Sequence, residues 1–499
     1  MQRTHQSCQC ARADWTNRFQ WRRWHRLCSA DATRLAKPPS SYGIARQRSR
    51  DMRETIWFLI VGGMFVGMGV ASSLFKRLPL TGAMLYIVAG YLLGPAGPFE
   101  SGGLLALDIV KQAPLLRLVS EVALLASLFA IGLRLRAPIS ASLWSLPVRL
   151  GFFAMIVTVP LLALICVWCL GLGWGAAWVL AAMLAPTDPV LAHDVQVRDA
   201  NDLDIVRFSL SGEGGLNDGI AQPFMLVALA CCASVAPDTH ALSAPLPIVK
   251  ALAQSLWGIA GAIGIGALLG FATTHIVAWL RTRYAQALGL EGFFALGLIE
   301  LSYGAAEGLH TFGFLAAFAA GVAMRRAEHR ATGERSPQDA IGSIDSSDVA
   351  ATAAHPDKAH AYMAESVLGF TIELERIAEM GMMILVGNLL STLSAPLLTW
   401  RSVVLVLALF VVVRPISVEL ALLGSRAKPM ERRLMSWFGI RGIGTVYYLA
   451  YALEHGHADQ IVPLVPYALA VVAASVFVHG MSATPLMNHY RRRRASARG

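Results

Sequence analysis

The stretch LAPTDP at residues 184–189 interrupts an apolar run, 174–193, that is long enough to cross a lipid bilayer as a helix. Pro186 and Pro189 remove two backbone donors, so we expect the helix to break there. In lipid such a break is stable only where protein buries it or where it lines a wet cavity, and the exposed helix ends then offer an ion site. The alternative is a proline kink in which Asp188 caps the second half-helix, which is compatible with ion binding.

The composition agrees with a membrane location for this run. The 499 residues are 55% hydrophobic and only 15% charged, which excludes an ordinary soluble protein. We predict an all-α polytopic membrane protein with about thirteen transmembrane helices. The predicted spans lie near 55–74, 79–97, 114–133, 150–171, 174–193, 206–233, 252–280, 286–304, 308–324, 377–396, 402–423, 434–454 and 463–486.

Lys and Arg are concentrated in alternate loops, which predicts the orientation of the chain. One set of loops includes the basic segment 325–335 and the run Arg491–Arg494, whereas the other holds little beyond Lys111, Lys250 and Arg401. Because short basic loops stay in the cytoplasm, we expect the carboxyl end to be cytoplasmic. We expect a multi-pass protein of the bacterial inner membrane.

Residues 1–51 contradict this orientation, since they carry eleven Lys or Arg against three Asp and would lie on the outer side. They contain no apolar stretch typical of a secretory signal, and Met52 stands directly before the first span. We therefore expect translation to begin at Met52 and 1–51 to be a mis-annotated start. The alternative is a disordered basic tail.

The sixth span contains SGEGGLNDG at 211–219, which places two carboxylates among four glycines. Glu213 and Asp218 lie about 140° apart on a helix that advances about 100° per residue, so they are expected to have different roles. Arg414, which Pro415 follows in the eleventh span, needs an anion inside a membrane protein. We pair Arg414 with Glu213 as structural support, and removal of one partner would strand the other charge.

The twelfth span contains GIRGIGT at 439–445, a second helix broken by glycines with a charge at its centre. If spans one to six and eight to thirteen are two copies joined by the seventh, the copies have inverted orientations. The broken fifth and twelfth spans then occupy equivalent positions, a pattern typical of the midplane site of a transporter. Pro189, Arg441 and Gly442 are the predicted supports of the two breaks.

A hydrophilic insertion divides the remaining chain. Residues 325–364 are rich in Ala, Ser, Asp and His, and we predict a flexible cytoplasmic loop there. It would separate a first membrane half, 52–324, which holds spans one to nine and the first inverted repeat, from 365–487, the rest of the second repeat. Residues 488–499 are a predicted basic cytoplasmic tail.

These motifs together resemble the NhaP-type sodium/proton antiporters of the monovalent cation:proton antiporter family, which includes the eukaryotic sodium/hydrogen exchangers. The resemblance covers about residues 55–486, including the third span from Glu121 and the ninth from Gly313. It implies thirteen helices with inverted repeats, and a core domain that moves against a dimerisation domain, so we expect a homodimer. It also implies electroneutral exchange of one cation for one proton, with Na⁺ as the first candidate for the cation.

The resemblance implies the site residues as well. Asp218 would be the shared ligand of cation and proton, beside Asn217. Thr187 and Asp188 would join it from the broken fifth helix, with Asp218 and Thr187 holding the transported Na⁺. Glu121 is a further candidate for the site.

A single buried carboxylate suits such an exchange, because desolvation favours its neutralised form and a hard cation needs only oxygen ligands. Gly214 stands where this family often has a serine, so the preference among Na⁺, Li⁺ and K⁺ stays open. The alternatives are a K⁺/H⁺ antiporter of the same fold, a passive cation channel, and an intramembrane aspartyl protease that uses Asp188 and Asp218. We expect no enzyme activity, no cofactor and no nucleic-acid partner; the partners are the ions and the lipid bilayer.

Overall fold

The computed structural model describes a helical protein. Its described residues are Thr55, 58–67, 69–70, 81–97, 107–138, 142–188, 191, 195–197, 199–233, 245–284, 286, 289–333, 335–342, 349–393 and 399–496. The predictions for 1–51, Met52 and Pro189 fall outside them. The chain forms two compact units, Met1–Ala71 and Ser72–Gly499. The described part of the first unit contains helix α1 (Phe58–Gly67).

The second unit is built from helices joined mostly by short connections. They are α2 (Gly82–Leu93), α3 (Ala113–Arg134), α4 (Ser142–Leu170), α5 (Trp174–Leu184), α6 (Ile205–Ala233), α7 (Pro245–Tyr284), α8 (Glu291–Gly308), α9 (Gly313–Thr332), α10 (Ala359–Thr392), α11 (Trp400–Ala421), α12 (Pro429–Trp437), α13 (Ile443–His455) and α14 (Val465–Ser496). Helices α4 and α11 each contain a π-helical turn, Arg149–Ala154 and Ala408–Val413 respectively.

Apolar length and apolar surface both identify a membrane protein. Six of the described helices, α3, α4, α6, α7, α11 and α14, lie in apolar segments long enough to cross a bilayer. Large apolar side chains such as Leu268, Phe293 and Val411 are exposed on helix surfaces, as expected where lipid is the solvent. All regular structure in the described ranges is helical. The predicted all-α, multi-pass membrane fold is therefore confirmed, whereas the thirteen spans and the inverted repeats remain predictions.

Helical structure stops in two predicted spans where proline and glycine predict a break. Helix α5 ends at Leu184, and the backbone through Asp188 is not helical. In the twelfth predicted span, α12 ends at Trp437 and α13 begins at Ile443, after a non-helical segment that includes Gly439. Each interruption leaves backbone donors or acceptors without helical partners, and these groups must be satisfied by other parts of the fold.

Glycines allow α3 and α9 to cross with their backbones in contact. A Cβ atom on Gly132 would lie 2.5 Å from the carbonyl oxygen of Phe318, and one on Gly321 would lie 2.4 Å from that of Phe129. Small residues that permit such close approach are common between membrane helices. This crossing fixes α3 and α9 against each other, beside the helices that carry the interruptions.

The described residues of the segment 325–364, for which the composition predicts a flexible loop, are mostly helical. Helix α9 continues into it as far as Thr332, and α10 begins within it at Ala359. Two short helices, Pro337–Ile341 and Val349–Ala354, lie between them.

Buried charges explain the order of this segment. The Arg325 guanidinium is fully buried and lies 2.8 Å from Glu365 Oε1, while Arg136 Nε lies 3.1 Å from Glu328 Oε2. Charges withdrawn from water are stable only when they are paired, so these contacts require a fixed backbone. Composition alone does not reveal which charges find such partners.

The carboxyl-terminal basic segment 488–499 also has structure. Helix α14 continues through it to Ser496. Arg494 Nη1 lies 2.6 Å from Asp204 Oδ2, which ties the end of α14 to the residue just before α6. At least this part of the predicted tail is therefore packed against the helical body.

Candidate ion-binding site

The non-helical segment after α5 meets the break between α12 and α13 at Asp188. Its backbone amide donates to the carbonyl oxygen of Ile440 at 2.8 Å, and its Oδ2 accepts from the amide of Ile443 at 3.1 Å. Ile443 is the first residue of α13, where free amides and the positive end of the helix dipole favour an anion. Asp188 therefore caps the other interrupted helix. The expected cap of its own second half-helix involves residues outside the described ones.

Arg441 makes the reciprocal contact. Its guanidinium donates to the carbonyl oxygens of Ala185 and Pro186, the latter at 2.8 Å, just beyond the end of α5. Its own backbone amide donates to Ser475 Oγ at 2.7 Å. A cation at a helix C-terminus satisfies free carbonyls and complements the negative end of the dipole. The charges at the two interruptions thus stabilise each other's helix ends.

The Arg414 guanidinium binds both carboxylate oxygens of Glu213, with Nη2 at 2.8 Å from Oε2 and Nη1 against Oε1. Both side chains are buried. Arg414 Nη2 also donates to the carbonyl oxygens of Met435 at 3.0 Å and Phe438 at 3.2 Å, at the end of α12. The two residues paired by sequence reasoning are therefore in contact, and the pair also holds the twelfth span at its break.

Asp218 lies in a different environment from these paired charges. It is only 3% exposed, and its Oδ1 has no hydrogen-bond partner in the described part of the chain. The Gly444 backbone of α13 lies directly against it, since a Cβ atom there would be 2.7 Å from Oδ1. The Asp218 carbonyl accepts from the Tyr448 hydroxyl at 2.5 Å. A carboxylate oxygen is thus buried without a hydrogen bond among the described residues.

Asn217 joins this carboxylate to the broken fifth helix. Asn217 Nδ2 donates to Thr187 Oγ1 at 2.7 Å, so the amide oxygen, Oδ1, is left buried without a partner among the described residues. A small cavity lined by Thr187, Val195, Leu210, Phe438 and Ile440 adjoins the break. Oxygen atoms from a carboxylate, an amide and a hydroxyl are the ligand types that hard cations prefer.

The remaining predicted site residues have other surroundings. Glu121, on α3, lies 2.7 Å from Arg117 Nη1 and accepts a hydrogen bond from the Tyr303 hydroxyl. Arg117 also lies 2.8 Å from Glu454, near the end of α13. Glu121 therefore belongs to an ion-pair cluster at the opposite end of α13 from Ile443. Gly442 precedes α13, where a Cβ atom would lie 2.6 Å from Asp188 Oδ2.

Sequence reasoning missed two residues that hold the site. Ser475 of α14 binds the Arg441 amide, and nothing in the local sequence distinguishes this serine from others. Tyr448, which binds the Asp218 carbonyl, had a usable signal: it lies four residues after Gly444 and therefore on the same face of α13.

Comparison with known proteins identifies the family and the fold. Residues 63–489 match the family described as "Sodium/hydrogen exchanger, transmembrane". The fold is similar to that of the sodium proton antiporter MjNhaP1 from Methanocaldococcus jannaschii at pH 8, with a TM-score of 0.60 and 16% identity over 87% of this chain and 98% of that one. A second structure of MjNhaP1, from electron microscopy, also has a TM-score of 0.60 and covers 86% of this chain and 97% of that one.

Proteins that are named for potassium efflux are also similar to this chain. The glutathione-regulated potassium-efflux system protein KefC from Salmonella newport and that from Salmonella heidelberg are each 28% identical over 262 residues. The aligned region covers 51% of this chain and 38% of each relative, so the match spans well under half of their length. The family match, in contrast, extends over most of the chain. The protein belongs to the transmembrane sodium/hydrogen exchanger family.

Proposed function

We propose that this protein is a secondary active antiporter that exchanges a monovalent cation for a proton at Asp218, with Na⁺ as the first candidate for the cation. The observation that carries the proposal is that Asp218 Oδ1 is buried and has no hydrogen-bond partner in the described residues. Asp188, Glu213, Arg414 and Arg441 all have polar or charged partners within the fold. Asp218 is therefore the carboxylate best placed to accept a mobile ligand.

Coupling follows from the cost of leaving this carboxylate charged. An unpaired buried anion is strongly disfavoured, so the occupied states are those with a bound proton or a bound cation. Each state carries the same net charge at the carboxylate, and each excludes the other ligand. A site that crosses the membrane only when occupied then exchanges one ion for the other, one to one and without net charge movement.

The neighbouring residues would complete the site and fix its geometry. Thr187 and Asn217 are hydrogen-bonded to each other and supply neutral oxygens near the break. Asp188 accepts a hydrogen bond from the Ile443 amide, so its role would be to cap α13 and thereby to assist the site. Glu213, Arg414 and Arg441 would fix the helix ends on which the ligand geometry depends.

K⁺/H⁺ exchange is the second candidate, and the similarity to the KefC proteins favours it. Those relatives are named as potassium-efflux proteins, and the match to them covers half of this chain. Gly214, at a position where NhaP-type antiporters often have a serine, contributes no side-chain oxygen, so the sequence leaves the choice between Na⁺ and K⁺ open. The same site and the same coupling would serve either ion.

The proposal extends to the assembly and its location. We infer a homodimer in a bacterial inner membrane, with the carboxyl end in the cytoplasm. The resemblance to NhaP-type antiporters supports the dimer, and the alternation of basic loops supports the orientation. Cross-linking in native membranes and accessibility of a cysteine introduced after Arg494 would test the two statements separately.

Purified protein in sealed vesicles with an internal pH-sensitive dye tests the function. An outward gradient of Na⁺, K⁺ or Li⁺ is imposed in turn, with choline as the impermeant control. Exchange predicts acidification of the lumen that depends on the cation and persists when the membrane potential is clamped at zero. Cation flux without any coupled proton flux would identify a channel and reject the proposal, and the order of the three cations decides between Na⁺ and K⁺.

A further inference from the structure

Thr445, in the first turn of α13, has a buried hydroxyl with no hydrogen-bond partner in the described ranges. Other buried threonines bind the carbonyl four residues earlier, as Thr274 does with Gly270 at 2.7 Å and Thr371 with Val367 at 3.0 Å. For Thr445 that carbonyl belongs to Arg441, which lies in the interruption before the helix begins. The hydroxyl is therefore left without the usual intrahelical partner.

The position of Thr445 on α13 places it next to the part of the helix that contacts Asp218. The preceding residue, Gly444, has its backbone against Asp218 Oδ1. Tyr448, which binds the Asp218 carbonyl, lies three residues after Thr445 and therefore on the same face of α13. The Thr445 hydroxyl thus lies on the face of α13 that meets Asp218.

We propose that Thr445 Oγ1 is a further ligand of the transported cation and contributes to the choice among Na⁺, Li⁺ and K⁺. This inference rests on the proposed function. Three buried oxygens, Asp218 Oδ1, Asn217 Oδ1 and Thr445 Oγ1, have no hydrogen-bond partner in the described chain. Asn217 and Asp218 are neighbours in sequence, and Gly444, which directly precedes Thr445, lies against Asp218 Oδ1. A buried polar atom without a partner is costly, and a cation that binds all three removes that cost.

Two substitutions separate the hydroxyl from the shape of the side chain. Thr445→Val removes the hydroxyl and keeps the branched Cβ, whereas Thr445→Ser keeps the hydroxyl. Ser302→Ala is the matched control, because Ser302 Oγ on α8 is also buried without a partner among described residues and lies outside the site. Each variant is assayed for half-saturating Na⁺, Li⁺ and K⁺ in the vesicle exchange assay, and for the rise in melting temperature that each cation produces in detergent.

The expected result is specific to the hydroxyl. Thr445→Val should raise the half-saturating concentration of the preferred cation about tenfold, the loss expected for one interaction with a charged group, and should change the order of the three cations. It should also reduce the cation-dependent rise in melting temperature. Thr445→Ser and Ser302→Ala should retain the wild-type affinity and order.

The two measurements distinguish this inference from the proposed function. Wild-type exchange with unchanged affinity and order in Thr445→Val overturns the role of Thr445 and leaves antiport intact. If the wild type does not exchange but cations still raise its melting temperature, and Thr445→Val loses that rise, antiport fails while the ligand role stands. No cation-dependent rise in either protein, without exchange, overturns both.

Discussion

Asp188 Oδ2 accepts a hydrogen bond from the Ile443 amide at 3.1 Å, so a carboxylate from one interrupted helix caps the start of another helix 255 residues away in the chain. Arg441 returns the contact at the end of α5, with its Nη1 2.8 Å from the Pro186 carbonyl. Two helix ends are thus held by charges of the sign that each dipole favours. Any movement that separates the two interruptions must break both contacts.

This cap predicts a graded response at Asp188. Asp188→Asn keeps an oxygen acceptor for the Ile443 amide, so it should lower the exchange rate while the protein stays folded. Asp188→Ala removes the acceptor and should cost about 1 kcal/mol or more of stability, as lost caps do. Melting temperature in detergent and exchange rate in vesicles check this order. Complete loss of exchange in well-folded Asp188→Asn protein would instead make Asp188 the ion carrier.

The buried pair of Glu213 and Arg414 predicts a loss of stability before any change in ion preference. Arg414→Ala strands the Glu213 carboxylate and the carbonyls at the end of α12, and breaking a buried pair typically costs about 3 to 5 kcal/mol. We expect a lower yield and a lower melting temperature, with the order of cations unchanged in the protein that remains folded.

A double-mutant cycle isolates the pair. Glu213→Ala combined with Arg414→Ala should be less destabilised than the sum of the single variants, because neither charge is then left alone. Additive losses in melting temperature would show that the contact between the two side chains contributes little. Retention of wild-type stability in Arg414→Ala would rule out its structural role altogether.

Backbone contact at Gly444 predicts sensitivity to a single methyl group. A Cβ atom there would lie 2.7 Å from Asp218 Oδ1, so Gly444→Ala must displace the carboxylate or α13. Overpacking of this kind costs about 1 to 3 kcal/mol, which corresponds to about a 5-fold to 150-fold loss of cation affinity if it falls on the bound state. Half-saturating cation concentration in vesicles is the measurement.

Gly297→Ala is the control for that variant. No atom lies within 4 Å of a Cβ built at Gly297 on α8, so the substitution should be neutral or slightly stabilising. Unchanged affinity in Gly444→Ala would mean that the carboxylate has room to move and that the site is looser than the structure indicates.

Local chemistry explains why sequence analysis located the interruptions. Prolines at 186 and 189 and glycines at 439 and 442 affect their own backbone, whatever surrounds them, so the breaks can be predicted from the residues alone. The pairing of Arg414 with Glu213 was also accessible, because a buried guanidinium stays charged and a carboxylate matches its geometry best.

Contacts between distant segments were not accessible in the same way. The capping of α13 by Asp188 and the binding of the Arg441 amide by Ser475 depend on how separate helices pack. The ordering of 325–364 likewise depends on the burial of Arg325 beside Glu365, which composition does not indicate. Sequence therefore indicates which groups need partners, whereas the fold decides which partners they receive.

Asp218 is predicted to be indispensable, because its carboxylate is buried and Oδ1 has no hydrogen-bond partner among the described residues. Asp218→Asn keeps the size of the side chain and removes the titratable group, so the site can no longer alternate between a proton and a cation. Cation-driven proton flux should be abolished, while the melting temperature stays near that of the wild type or rises because a buried charge has been removed.

The wild type should show direct competition between the two ligands at this residue. Lowering the pH on one side protonates Asp218 and should raise the half-saturating cation concentration on that side, by up to about tenfold per pH unit, because one proton competes for one site. Raising the pH should lower the half-saturating cation concentration until protons no longer compete with the cation for the site. Exchange rates measured over a matrix of pH and cation concentrations check this relation. A half-saturating concentration that does not depend on pH, or residual flux in folded Asp218→Asn protein, would move the carrier role to Asp188 or Glu121.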